Sequence, residues 1–275
     1  MSQTLQPASN SVRAVIFDLS GTTIDYGSRG PVVAFVELFK RHGVTVSEEE
    51  ARRPMGTHKK DHIWAMLTDP GISARWEQAN GQKPTKELLE QLYPEFTPLQ
   101  MQVLRRHCDV LPGVPGVVAE LRRRGIRIAS TTGFDTGMMV DLIKEVAKQG
   151  YSPDCFVCPD QVGGGRPAPW MAFHAARQLG VYPMRTFVKV GDTPNDIAEA
   201  YNAGMWAVAV VRTGNEVGLS AQELEVLPEE RREALLAAAR GRLKALSPHY
   251  VIDSVAVLMP VIDEISERLA RGDRP

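Results

Sequence analysis

Ala14-Val15-Ile16-Phe17 is an unbroken apolar run that stops at Asp18. Four apolar residues without polar alternation predict a strand buried on both faces, as in a parallel sheet, with Asp18 in the loop at its carboxyl end. The pattern recurs. Ile126 to Ser130 runs into Thr131-Thr132-Gly133, Thr186 to Val190 runs into Gly191-Asp192, and Trp206 to Val211 is rich in valine and alanine. Helical spacing fills the intervals Val114 to Arg124, Thr136 to Gln149, Trp170 to Leu179 and Asn195 to Ala203. Alternating strand and helix predict an α/β fold whose mainly parallel sheet is covered on both faces, with ligands beyond the carboxyl ends of the strands. Asp18, Thr132 and Asp192 all fall at such ends.

One stretch breaks the alternation. Pro31 to His107 carries helical patterns, as in Val32-Phe35-Val36-Phe39, Ile63-Met66-Leu67 and Leu88-Leu92, and little that reads as strand. It predicts a helical cap inserted into a Rossmann-like core, with residues 28–107 as cap and residues 12–27 and 108–275 as core. Pro112-Gly113-Val114-Pro115-Gly116 punctuates the return to the core. A chain of 275 residues with 43% hydrophobic content can bury such a core. Its formal charge of -1 gives no reason to expect nucleic acid or an anionic membrane as a partner. Three cysteines are too few and too odd in number for a disulfide framework, and the polar start Met1 to Ser11 lacks the apolar stretch of a signal peptide. The longest apolar runs fall short of the roughly twenty residues that cross a bilayer. A soluble cytoplasmic protein is expected.

The candidate chemistry lies in four segments. Phe17-Asp18-Leu19-Ser20-Gly21-Thr22-Thr23 and the later Lys189-Val190-Gly191-Asp192-Thr193-Pro194-Asn195-Asp196 bring carboxylates to strand ends, where they could hold a magnesium ion, a hard cation that prefers oxygen. Thr132 follows a central strand, and Arg166 follows Gly163-Gly164-Gly165. In the cap, Arg53-Pro54-Met55-Gly56-Thr57-His58-Lys59-Lys60-Asp61-His62 leads from a turn into a helix. A helix opened by Gly56 or Thr57 would set Met55, Lys59 and His62 on one face, and Lys60 with Gly56 and Trp64. An amine can form a Schiff base with an aldehyde, although lysine ordinarily titrates near roughly 10.4 and would need a site that lowers its pKa.

In order and spacing these segments resemble the four motifs of the haloacid dehalogenase superfamily. The resemblance implies that Asp18 attacks phosphorus, Thr132 and Arg166 hold the phosphoryl group, and Asp192 binds magnesium with Asp196 in support. The superfamily's phosphatases carry a second aspartate two residues after the nucleophile, where this chain has Ser20, a poor general acid near neutral pH. The Pro-Met-Gly-x-x-Lys-x-Asp-His pattern of the cap is similar to that of the phosphonoacetaldehyde hydrolase family. So are Thr22-Thr23-x-Asp25-Tyr26-Gly27, Ser130 to Gly133, Gly165-Arg166-Pro167-x-Pro169-Trp170-Met171, Gly180 to Met184 and Asn202 to Trp206. That resemblance implies a carbon-phosphorus bond hydrolase acting on a small-molecule phosphonate in 2-aminoethylphosphonate degradation. It assigns the Schiff base to Lys59, with His62 and Met55 beside it, and substrate contacts to Thr132, Gly133 and Arg166. Magnesium falls to Asp18, the Ser20 backbone carbonyl and Asp192, and the assembly to a homodimer. Leu19 and Ser20 depart from the family's usual tryptophan and alanine, and Phe134 stands where a tyrosine can occur.

Other features read as structural. His42, His58, His107, His174 and His249 show no metal spacing, Cys155 and Cys158 have no second pair to complete a zinc site, and Gly163-Gly164-Gly165 lacks the lysine of a P-loop. Ser130 and Thr131 compete with Thr132 for the phosphate role, and only the family alignment separates them.

Overall fold

The structure, a computed structural model, describes residues 10–275. The polar start Met1 to Ser11 thus lies almost wholly outside the described residues. In chain order, β1 (Ala14–Phe17) is followed by α1 (Arg29–Arg41), α2 (Glu48–Arg52), α3 (Lys59–Thr68), α4 (Pro70–Asn80) and α5 (Lys86–Leu104), with no strand among them. Next come α6 (Val114–Arg123), β2 (Arg127–Thr131), α7 (Thr136–Lys148), β3 (Cys155–Val157), α8 (Trp170–Leu179), β4 (Phe187–Gly191), α9 (Pro194–Ala203) and β5 (Trp206–Val210). The chain finishes with α10 (Ala221–Val226), α11 (Glu229–Lys244), β6 (Tyr250–Ile252) and α12 (Met259–Ala270).

The strands form one six-stranded sheet in the order β3-β2-β1-β4-β5-β6, every neighbouring pair parallel. This is the expected α/β class. Successive side chains of β1 point to opposite faces: Val15 and Phe17 join the core shared with α6 and α7, while Ala14 and Ile16 pack with α8 and α9. Both faces of β1 are fully buried, which is why its sequence shows a run and no alternation. β1 sits centrally, and the chain proceeds to β2 on one side and returns to β4 on the other. The carboxyl end of β1 is therefore a topological switch point, where such sheets open a crevice.

Two particulars differ from the sequence expectation. β3 and β6 are partly exposed three-residue strands at the two sheet edges, and neither is among the strands the apolar runs predict. Helix α3 begins at Lys59, with His58 as its N-cap, and neither Gly56 nor Thr57 opens it. Gly56 has φ +89°, a left-handed conformation that a helix cannot contain, so Pro54 to Thr57 stays a turn. Met55 consequently belongs to that turn, not to the α3 face that holds Lys59 and His62. Among the described residues no helix is long and apolar enough to cross a membrane.

Candidate active site

Asp18 emerges from the centre of the sheet, and the loop behind it is tied down by its own side chains. Thr23 Oγ1 donates to the Asp18 carbonyl at 2.9 Å, and Thr213 Oγ1 to the Gly21 carbonyl at 2.7 Å. Gly21, at φ +84°, passes so close to Asp192 that an added Cβ would lie 2.3 Å from its Oδ2. A glycine is required there to bring the loop against the end of β4. Asp192 is held in turn by Thr22 Oγ1 at 2.9 Å and by the Asn215 N–H at 2.7 Å. Asp196 sits in the first turn of α9, where it and Thr193 cap each other.

These groups lie in one buried charge network. Arg166 reaches Asp18 at 2.7 Å, Asp196 at 3.0 Å and Glu199 at 3.1 Å. Lys189 reaches Asp196 at 3.1 Å and Glu199 at 2.8 Å. Three carboxylates thus share two cations, and Asp192 adds a fourth negative group beside them. Burial raises the pKa of Asp18, with Arg166 opposing. Burial and the charges of Asp18 and Asp196 push Asp192 well above the usual carboxylate range. Burial also works to raise Asp196, but Arg166 and Lys189 outweigh it and hold the group below its ordinary value. Among the described residues Asp192 has no ion-pair partner, so the uncompensated negative charge lies at Asp192, beside Asp18. Oxygens of Asp18, Asp192 and Asp196 come within 4.8 Å of one another and could hold a metal ion. All-oxygen donors with surplus negative charge suit a hard divalent cation.

The second wall comes from the helical stretch. A small cavity is lined by Asp18, Ser20, Thr132, Gly133 and Arg166 from the sheet side and by Met55 and Lys59 from the other. Backbone meets backbone here: the Lys59 N–H donates to the Gly133 carbonyl at 3.3 Å. Asn195 donates to the Met55 carbonyl at 2.7 Å. A Cβ on Gly133 would lie 2.2 Å from the Thr57 carbonyl oxygen, so only glycine permits this approach. Lys59 is 3% exposed, with its Nζ 4.8 Å from the Phe134 ring centre and 5.6 Å from that of Phe35. Burial lowers its pKa to about 8, with Asp18 pulling the other way. Lys60, by contrast, points outward and pairs with Glu90 at 2.7 Å.

The structure thus brings Asp18, Ser20, Met55, Lys59, Thr132, Gly133 and Arg166 to one cavity. Asp192 and Asp196 stand behind Asp18. His62 lies beside Lys59 rather than on the cavity wall, stacked on Phe35 at 3.7 Å with Nε2 bonded to the Ala51 carbonyl at 2.8 Å. Burial and the nearby Lys59 charge hold His62 well below the usual histidine range, so it is neutral. The three hydroxyls at the end of β2 are separated by geometry. Ser130 donates to the Phe17 carbonyl at 3.0 Å, Thr131 is engaged by Lys189 and Arg166, and Thr132 lines the cavity. Lys189, Glu199 and Asn215 were not anticipated. A lysine inside the apolar strand Phe187-Val188-Lys189-Val190 is a buried charge that demands partners, and Glu199 follows Asp196 by three residues on the same helix face.

Residues 12–204 match the family model of haloacid dehalogenase-like hydrolases, and residues 164–258 match a second model of HAD-like hydrolases. The chain is a hydrolase of that class. It is 44% identical over 264 residues to a phosphonoacetaldehyde hydrolase of Nitratidesulfovibrio vulgaris, covering 96% of this chain and 94% of that one. It is 43% identical over 258 residues to a phosphonoacetaldehyde hydrolase of Bacillus cereus, covering 94% and 97%. A solved structure of a phosphonoacetaldehyde hydrolase-like protein from Oleispira antarctica superposes with TM-score 0.95 at 40% identity over the whole of both chains. This chain belongs to the phosphonoacetaldehyde hydrolase family.

Proposed function

We propose that this chain hydrolyses the carbon-phosphorus bond of phosphonoacetaldehyde, giving acetaldehyde and phosphate, as a step in 2-aminoethylphosphonate degradation. The observation that carries the proposal is a buried amine and a buried carboxylate lining one small cavity from opposite walls, the amine's pKa lowered to about 8. In its neutral form Lys59 adds to the aldehyde carbon, and loss of water with uptake of one proton from solvent leaves a protonated imine two atoms from phosphorus. Asp18 attacks phosphorus. The carbon-phosphorus bond breaks, and its electron pair flows into the imine to give a neutral enamine, so no acid is needed where Ser20 replaces the aspartate of phosphatases. Water then hydrolyses the aspartyl phosphate, and the enamine takes a proton on carbon and is hydrolysed to acetaldehyde, freeing Lys59.

Arg166 and Thr132 are the proposed phosphoryl contacts, and Gly133 lets the two walls close. Neutral His62 and Met55 flank the amine. Asp18, Asp192 and the Ser20 carbonyl, with Asp196 behind, are the proposed magnesium ligands, and the bound ion would neutralise charge on the phosphoryl oxygens. We further propose that residues 28–107 act as a cap over the core and that the enzyme is a cytoplasmic homodimer.

The test is to incubate the purified protein with phosphonoacetaldehyde and with phosphate monoesters, with and without Mg2+, and to measure phosphate and acetaldehyde. Equimolar release from the phosphonate alone, abolished by chelator, is expected. Faster turnover of the esters would make the protein an ordinary phosphatase.

A further inference from the structure

His58, read from the sequence as an ordinary surface or structural histidine, has an unusual set of partners. Its Nε2 lies 2.8 Å from Asp135 Oδ1, and the other oxygen of Asp135 accepts the Tyr93 hydroxyl. His58 caps α3 and Tyr93 is on α5, whereas Asp135 stands at the N-cap of α7, in the loop that follows β2. The cluster therefore joins the helical stretch to the sheet side.

Asp135 gives up something to do so. An aspartate at an N-cap ordinarily accepts a hydrogen bond from its own helix, but the Asp135 side chain makes no such bond. The N–H of Thr136, the first residue of α7, donates to Asp160 at 3.1 Å. Burial works against the charge on Asp135, yet His58 and Tyr93 hold its carboxyl below the ordinary value. A carboxylate turned from its own helix toward two groups of the opposite wall, and kept ionised there, is a cross-tie rather than a cap. Its place matters because Lys59 is the next residue. The Lys59 backbone is anchored to the core on one side by the Gly133 carbonyl at 3.3 Å and on the other by the His58 side chain. Attack on a carbonyl is sensitive to misplacement of about 1 Å.

We propose that His58, Asp135 and Tyr93 form a latch that closes the helical wall onto the core and positions Lys59 over the cavity. These are positioning residues for the reaction proposed above and touch none of the reacting atoms. The inference rests on that reading for its kinetic consequence, but its structural part does not.

Three variants, His58→Ala, Asp135→Ala and Tyr93→Phe, together with the double variant His58→Ala/Asp135→Ala, test it with two readouts. The first is hydrogen exchange of the Lys59 amide in the substrate-free protein, which reads the latch whether or not the reaction is as proposed. Faster exchange is expected in His58→Ala and Asp135→Ala, by about tenfold for a charge-assisted hydrogen bond, with a smaller change in Tyr93→Phe. The second is kinetics with phosphonoacetaldehyde: a raised KM and a slower borohydride-trapped Lys59 adduct, with the double variant no worse than either single one. Asp135→Asn, which keeps an acceptor toward His58, should recover part of the loss. Unchanged exchange at Lys59 in the folded variants would overturn the latch. So would single-variant effects that multiply in the double variant, since independent contacts behave that way. A wild-type protein that releases no phosphate from phosphonoacetaldehyde would refute the functional reading alone, and exchange would still decide the latch.

Discussion

Replacing Lys59 by methionine should stabilise the fold while ending turnover. The amine is buried at 3% exposure, and burial lowers its pKa from 10.5 to about 8. The folded chain therefore binds fewer protons than the unfolded chain between these values, and stability rises with pH across that window. Below the folded pKa the protein carries the whole cost of burying an ammonium, which for this displacement is roughly 3 kcal/mol. Above the unfolded value of 10.5 the cost has vanished. Methionine has nearly the same length and no charge. It forfeits the contact of the ammonium with the Phe134 ring, worth about 1 kcal/mol, which leaves a net gain of about 2 kcal/mol at pH 7. Urea unfolding of wild type and variant at pH 7 and pH 10, in chelator so that no divalent ion adds to the field, measures it. A variant less stable than wild type at pH 7 would refute the reasoning, as would a gain that does not shrink at pH 10. The same pKa fixes a kinetic expectation for wild type. The neutral amine is the minor form at pH 7, and a bound divalent cation would lower the pKa further, so kcat/KM should climb with pH and level off at or below about 8.

Arg166→Met leaves Asp18, Asp196 and Glu199 with Lys189 as their one cation in this network. Loss of about 3–5 kcal/mol of stability is expected from thermal or urea unfolding, together with loss of activity. Gly133→Ala sets a methyl 2.2 Å from the Thr57 carbonyl oxygen and must push the helical wall away. A fall of about a hundredfold in kcat/KM with little change in unfolding midpoint is expected. Asp192→Asn relieves the crowding of buried carboxylates, so the metal-free protein should unfold at higher urea. The Mg2+ needed for half-maximal phosphate release should rise by at least about tenfold.

Much of this was legible in the sequence, because the strongest signals are local. The run Ala14 to Phe17 ending at Asp18 gives a central strand and its loop, and Gly191-Asp192 gives a second strand end. The helical periodicity of Pro31 to His107 separates that stretch from the strands. What was hidden depends on contacts distant in sequence. Lys189 reads as a strand residue until Glu199 and Asp196 are folded against it. Thr131 and Thr132 are indistinguishable until the first is seen to be engaged by Lys189 and Arg166. Helical spacing predicts a joint face of Met55 and Lys59, but α3 does not include Met55; the left-handed Gly56 ends that register, and the turn brings Met55 to the cavity by another path. His58 reads as an ordinary structural histidine because histidine spacing along the chain says nothing of Asp135, 77 residues away.

The most direct test of the account is borohydride trapping. Purified protein is incubated with phosphonoacetaldehyde and reductant, digested, and mapped by peptide mass spectrometry, with Asp18→Asn in parallel. A reductively alkylated lysine at Lys59, formed in both proteins while only wild type releases phosphate, is the expected result. Phosphate release without any adduct at Lys59, or an adduct confined to another lysine such as Lys60, would contradict it.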